Sequence, residues 1–281
     1  MILKDALRIT PRGFFLSAFY DTNAADLISF RLYKYGANRL LYAVSYGVGY
    51  TNKELTQGYG VTTFSMMKVG TSAFDLYDLT PKSATQWNID SCVFLNLIDE
   101  TGYAPYTYTW CDWRADEDDT ESYVGWMDND FAEVVPGEHT FPAGSAFWVQ
   151  TDTYDDIKIV VSGQVEQGDT ILTPCVGFGV LGNPYPCEVL YSKITPSSAT
   201  AWNIDSCVFF NLIDETGYAP YTYTWCDWRE FEEDTANYVG WMDNDFAEVD
   251  EDDFLSANEA VWVQIDTYSD ISIRIPAPVL K

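Results

Sequence analysis

The stretch WNIDSCVFLNLIDETGYAPYTYTWCDWR, residues 87–114, decides the fold, because it returns as WNIDSCVFFNLIDETGYAPYTYTWCDWR at residues 202–229. Leu95 against Phe210 is the single difference between the two copies. Both resume after a gap with YVGWMDNDFAEV, at residues 123–134 and 238–249. A duplication of this length makes the repeat, rather than the chain, the unit that builds a core.

Within the repeat, short runs of strand formers alternate with turns that carry glycine or acid. Strands are expected at 92–98, 106–113, 123–127, 143–150 and 157–162, with counterparts in the second copy. Long helical periodicity is absent. The fold class this implies is all-β, built as tandem antiparallel β-sandwich or barrel modules. The first repeat is expected over 61–165 and the second over 170–281, joined across Glu166-Gln167-Gly168-Asp169. Residues 1–60 read as an N-terminal β-rich module, with strands over 26–35 and 40–50 around a turn at Gly36-Ala37-Asn38. Each repeat opens on an apolar hairpin candidate, in the second copy VGFGVLGNPYPCEVLY (176–191) turning at Gly182-Asn183-Pro184. TPKSAT (80–85) or TPSSAT (195–200) follows, with room for one helical turn.

Six cysteines fall into local pairs. Placing Cys92 opposite Cys111 in a hairpin centres its turn between Thr101 and Gly102, where Asp-Glu-Thr-Gly asks for one. The same register sets Cys207 opposite Cys226, around Thr216 and Gly217. Directly opposed strand residues lie about 4.5–5.5 Å apart at Cα, within disulfide reach. The expectation is therefore cross-strand disulfides Cys92–Cys111 and Cys207–Cys226, with Cys175 and Cys187 as the third local pair, and with them an oxidising compartment outside the cytoplasm. Buried thiols are the competing reading. The spacings do not suit a zinc site.

The formal charge is −28, and residues 1–60 are net basic, so the acid sits in the repeats. Such a surface repels nucleic acid and anionic lipid. No apolar run reaches the roughly 18 residues a helical membrane span needs. The partners that remain are a second copy, a surface partner or a glycan.

Catalytic signatures are missing. The single histidine, His139, lies in PGEHT, and the corresponding stretch of the second repeat reads DEDDFL. No G-x-S-x-G, P-loop or dinucleotide-binding glycine pattern occurs. The chain reads as a non-enzyme without a cofactor. Calcium is the one ion with candidate ligands: Asp128, Asn129 and Asp130, and again Asp243, Asn244 and Asp245, each set preceded by an acidic run at 116–119 or 230–234. Asp-Asn-Asp is equally a favoured turn that needs no ion.

Strand alternation places Tyr106, Tyr108 and Trp110 on one face, and Tyr221, Tyr223 and Trp225 likewise. Exposed, these rows would be a ligand platform for sugar rings. Buried, they would be packing between two sheets, the commoner fate of such side chains.

The closing segments PAGSAFWVQTDT (142–153) and ANEAVWVQIDT (257–267) join Gly125-Trp126, Gly240-Trp241 and the NPYP at 183–186 in a recurring pattern. It resembles tandem β-modules of large secreted or surface-exposed bacterial proteins that end in GW and G-x-x-FWV and have no established activity. The resemblance leaves residues 1–60 uncovered. It implies an extracellular or cell-surface structural role, as an appendage, filament or surface-layer subunit or an adhesin. A carbohydrate-binding protein using the Tyr/Trp rows is the alternative.

Overall fold

The computed structural model describes residues 8–9, 14–20, 28–36, 39–115, 122–229, 237–250 and 252–278, with side chains from residue 50 onward. The N-terminal stretch supplies β1 (Arg8–Ile9), β2 (Phe14–Tyr20), β3 (Ile28–Gly36) and β4 (Arg39–Leu55). Then come β5 (Gly58–Thr63), β6 (Met66–Met67), β7 (Ala73–Asp75), β8 (Thr80–Ser83), β9 (Val93–Leu97), β10 (Tyr106–Asp112) and β11 (Val124–Met127). The first repeat closes with β12 (Thr140–Pro142), β13 (Ala146–Thr151) and β14 (Ile157–Val165). The second runs through β15 (Thr170–Leu172), β16 (Gly177–Gly182), β17 (Val189–Leu190), β18 (Thr195–Ser198), β19 (Val208–Leu212) and β20 (Tyr221–Asp227). It ends with β21 (Val239–Met242), β22 (Phe254–Leu255), β23 (Ala260–Ile265) and β24 (Ile271–Ile275). Among the described residues the only helices are three 3-10 turns. The protein is all-β, and among the described residues its sheets are open and none closes into a barrel.

Each repeat is a sandwich. In the first, a sheet ordered β5-β13-β9-β10-β11 faces one in which β14 pairs with both β4 and β8. The second repeats this with β16-β23-β19-β20-β21 over β15-β24-β18. Period-two alternation makes the core. On β14 the side chains of Ile157, Ile159 and Val161 are buried while Lys158, Val160 and Ser162 face water. Two separate apolar clusters result, one per repeat.

The one substitution inside the duplicated phrase is absorbed by its neighbours. Phe210 stacks on Trp241 at 4.3 Å and lies 6.3 Å from Tyr191. In the first repeat Leu95 is smaller, and the ring is supplied instead by Phe147, which meets Phe64, Phe74 and Phe141. Leu95, Phe147 and Phe210 are all fully buried, so each core is filled by a different choice of side chains.

The phrase is also tied end to end. Asn88 Nδ2 donates to the Asp112 carbonyl at 2.8 Å, and the Asp112 N–H donates to Asp90 Oδ1 at 2.9 Å. Arg114 then grips the buried Asp112 carboxylate through Nε and Nη2 and lies over the Trp87 ring at 5.4 Å. Arg229, Asp227 and Trp202 repeat the arrangement.

Two local expectations change. The 176–191 stretch is not a hairpin: β16 pairs with β23 and β17 with β22, because Asn183 is buried as a hub. Its side-chain amide donates to the carbonyls of Cys187, Leu255 and Ser256. The 80–85 and 195–200 stretches hold strands β8 and β18, pairing with β14 and β24, rather than a helical turn. The strand expected within 26–35 is present as β3, Ile28–Gly36.

The repeats meet across an approximate two-fold. Tyr59 N–H donates to the Glu215 carbonyl at 2.9 Å, and the equivalent Phe178 N–H donates to the Glu100 carbonyl at 3.0 Å. At the other end of the same strands Thr63 N–H reaches the Asn258 carbonyl and Gly182 N–H the Gly144 carbonyl. Edge strands β5 and β16 are thereby each capped by the opposite repeat. Gly58 and Gly177 make this possible: φ is +107° and +105°, and a Cβ at either would sit 2.3 Å or 2.2 Å from the carbonyl oxygen it faces. The contact is reciprocal, as in a two-fold dimer, but here within one chain.

Candidate functional site

The aromatic rows 106, 108, 110 and 221, 223, 225 do not form a platform. Tyr108 and Trp110 are 3% and 4% exposed, Tyr223 and Trp225 are 6% exposed, and Tyr106 and Tyr221 pack half-buried against the same cores. Trp110 meets Trp126 edge-on at 5.4 Å, and Trp225 meets Trp241 at the same distance. These rows are the packing between sheets. Tyr108 OH shares a 2.9 Å hydrogen bond with His139 Nδ1, which draws that histidine in from the surface; Asp253 takes its place under Tyr223.

The Asp-Asn-Asp sets are turns. Asp128 Oδ1 accepts from the N–H groups of Asp130 and Ala132, each at 2.9 Å, and its Oδ2 accepts from Tyr106 OH. Asn129 bridges Pro105 and Thr107, and Asp243, Asn244 and Asp245 repeat the pattern. The Ala132 N–H, with that of Asp130 and the Tyr106 hydroxyl, holds the Asp128 carboxyl below the usual carboxylate range. Asp243 is lowered in the same way, first by Ala247 N–H. Among the described residues no three acidic, His or Cys side chains converge as metal ligands. The acidic runs at 116–119 and 230–234 lie outside the described residues.

The expected disulfides are absent, although the register that suggested them is present. Tyr106 pairs with Leu97 and Thr109 with Phe94, the pairing that would set Cys92 against Cys111. The ladder ends at that Thr109–Phe94 pair, two residues short of the cysteines. β9 begins at Val93, and Ser91 adopts φ +50°, so Cys92 leaves the pleat. Its Sγ turns into the core and donates to the Ile89 carbonyl, while Cys111 is buried outside that cluster. Cys207 does the same through Ile204, away from Cys226. All six cysteines are free thiols, Cys175 exposed and Cys187 partly buried. Burial, with nearby carboxylates, pushes Cys92 up to about 12 and Cys111, Cys207 and Cys226 up to about 11.

The two repeats also share an aromatic seam where they meet. In Phe147-Trp148-Val149-Gln150 the strand alternation buries Phe147 and Val149 and turns Trp148 and Gln150 outward. Val261-Trp262-Val263-Gln264 does likewise on β23. The two-fold brings these outer faces together, with the Trp148 and Trp262 rings 5.5 Å apart at 78°. Tyr59 flanks Trp148 at 6.0 Å and Phe178 flanks Trp262 at 5.8 Å. The turns of the duplicated phrase complete the seam, Gly217 against Trp148 and Tyr59, and Gly102 against Trp262 and Phe178. Beside them Tyr103 and Tyr218 are each 76% exposed.

Two hollows lie along this seam. One, of about 330 Å³, is lined by Trp148, Trp262, Tyr218, Asn211 and Gln264 among others. The other, of about 270 Å³, runs past Tyr59, Lys53, Glu215 and Glu259. Burial lowers the pKa of Lys53 there, against the pull of Glu259. The outward tryptophans were legible as the alternate positions of the FWV and VWV segments. Their meeting was not, because it depends on how two sandwiches pack. Comparison of the chain with protein-family models, curated proteins and solved structures finds no match in any of the three.

Proposed function

We propose that the chain is a non-catalytic recognition protein of a cell surface or extracellular matrix, an adhesin built from two structural β modules. The observation that carries this reading is the half-buried Trp148–Trp262 pair at the seam, flanked by the exposed rings of Tyr59, Phe178, Tyr103 and Tyr218, an aromatic surface of the kind proteins keep open for a partner. A filament joined by strand addition at β5 or β16 is less well supported, since both are capped within the chain. The external location rests on the resemblance of the GW and FWV segments and on the acidic surface, because the buried thiols do not argue for an oxidising compartment. Sedimentation velocity and electron microscopy of the purified protein, with adhesion of protein-coated beads to cell layers, test the reading. A monomer of 31.8 kDa across a wide concentration range, and beads that stick, are expected. Ordered polymers would return the chain to the filament class, and beads that do not stick would end the adhesive reading.

A further inference from the structure

We infer that the 330 Å³ hollow at the seam binds a neutral, soluble oligosaccharide; this rests on the recognition reading and names its ligand class. Its volume falls in the range of about 300–1,000 Å³ typical of small-ligand clefts.

The walls select the chemistry. Trp148 and Trp262 line it with aromatic surface against which the C–H face of a sugar can pack. Asn211 and Gln264 supply amides at the edge, where hydroxyls would fall. Asn211 is held in place by its own bonds, Nδ2 donating to the Trp262 carbonyl and Oδ1 accepting from Thr222 Oγ1 at 2.7 Å. An amide nitrogen carries two N–H groups, so a donor remains for a ligand. Tyr218 stands over the opening from a turn that Gly217, with φ +84°, seats against Trp148.

Charge and angle narrow the class further. No charged side chain lines this hollow, and the chain around it carries −28, so a polyanionic glycan is repelled on approach. The rings stand at 78° to one another, so the flat face of a crystalline polymer can lie on one ring but not on both. A single chain that turns in the corner can use both, one ring by its face and the other by its edge.

The full-length protein is titrated by calorimetry and tryptophan fluorescence with cellohexaose, xylohexaose, mannohexaose, maltohexaose and laminarihexaose. A heparin oligosaccharide and a microcrystalline cellulose pull-down serve as contrasting arms. At least one neutral hexaose is expected to bind, with affinity falling about tenfold or more in Trp262→Ala and in Trp148→Ala. Tyr218→Ala, at an exposed position, is expected to weaken binding several-fold with no change in melting temperature, which separates ligand contact from folding. The inference is overturned if no hexaose binds, if Tyr218→Ala and Trp262→Ala both bind as tightly as the parent, or if only heparin or crystalline cellulose is retained. A protein that stays monomeric and adheres yet binds none of these sugars would leave the adhesive reading standing and remove this one.

Discussion

At the scale of single residues, the thiols give the cleanest test. Four buried cysteines have pKa values pushed up to about 11 or 12, so they are protonated and sheltered at pH 8. A thiol reagent under native conditions should label the exposed Cys175 first and the buried four only after denaturant. Intact mass should show no change on reduction; a gain of two mass units per bridge would restore the disulfides. The indoles give a second test. Trp126 Nε1 donates to the Leu79 carbonyl at 2.7 Å, whereas Trp110 Nε1 is buried without a hydrogen-bond partner. Trp126→Phe therefore strands a buried carbonyl and should cost about 1–3 kcal/mol, while Trp110→Phe removes an unpaired donor and should cost less. Denaturant melts that reverse this order would refute the assignment.

At the scale of elements, the turns and the capped edges carry the stability. The carboxyls of Asp128 and Asp243 lie below their ordinary range because backbone N–H groups bond their charged form. A depressed folded pKa means stability present above the unfolded value, near 4, and lost as pH falls through the folded value. In moderate salt, acid melts should therefore weaken below about pH 4. At the other limit burial raises Tyr108, Tyr123 and Tyr238 to about 12, which favours the neutral phenol. That stability is complete below the unfolded phenol value of about 10 and declines as pH rises beyond it. The edge contacts answer to Gly177. Gly177→Ala puts a Cβ on the Glu100 carbonyl at a positive φ and should destabilise by about 2 kcal/mol or more. The register of the β9–β10 hairpin was legible from its cysteines and its Thr-Gly turn; the break at Ser91 was not, since a positive φ at serine has no signal in the residue itself.

At the scale of the whole molecule, charge and seam dominate. With −28 on a chain of 281 residues, self-repulsion opposes compaction. Raising ionic strength from about 0.01 to 0.15 M shortens the screening length from about 30 to 8 Å and should raise the melting temperature. A melting temperature insensitive to salt would mean that the acids are already compensated.

The duplication, the period-two alternation and the turn residues settled the all-β class and most of the strands, because these depend on neighbours in sequence. Burial of the 106–110 row, the parting of Cys92 from Cys111 and the fate of the 176–191 stretch needed the sandwich, since each depends on what lies across a sheet. The seam depends on more still. Trp148 and Trp262 belong to different repeats, and only the packing of one sandwich against the other brings them to 5.5 Å. Near-identical repeats can pack in many ways; two glycines that let carbonyls approach, and the edge N–H groups those carbonyls satisfy, select this one.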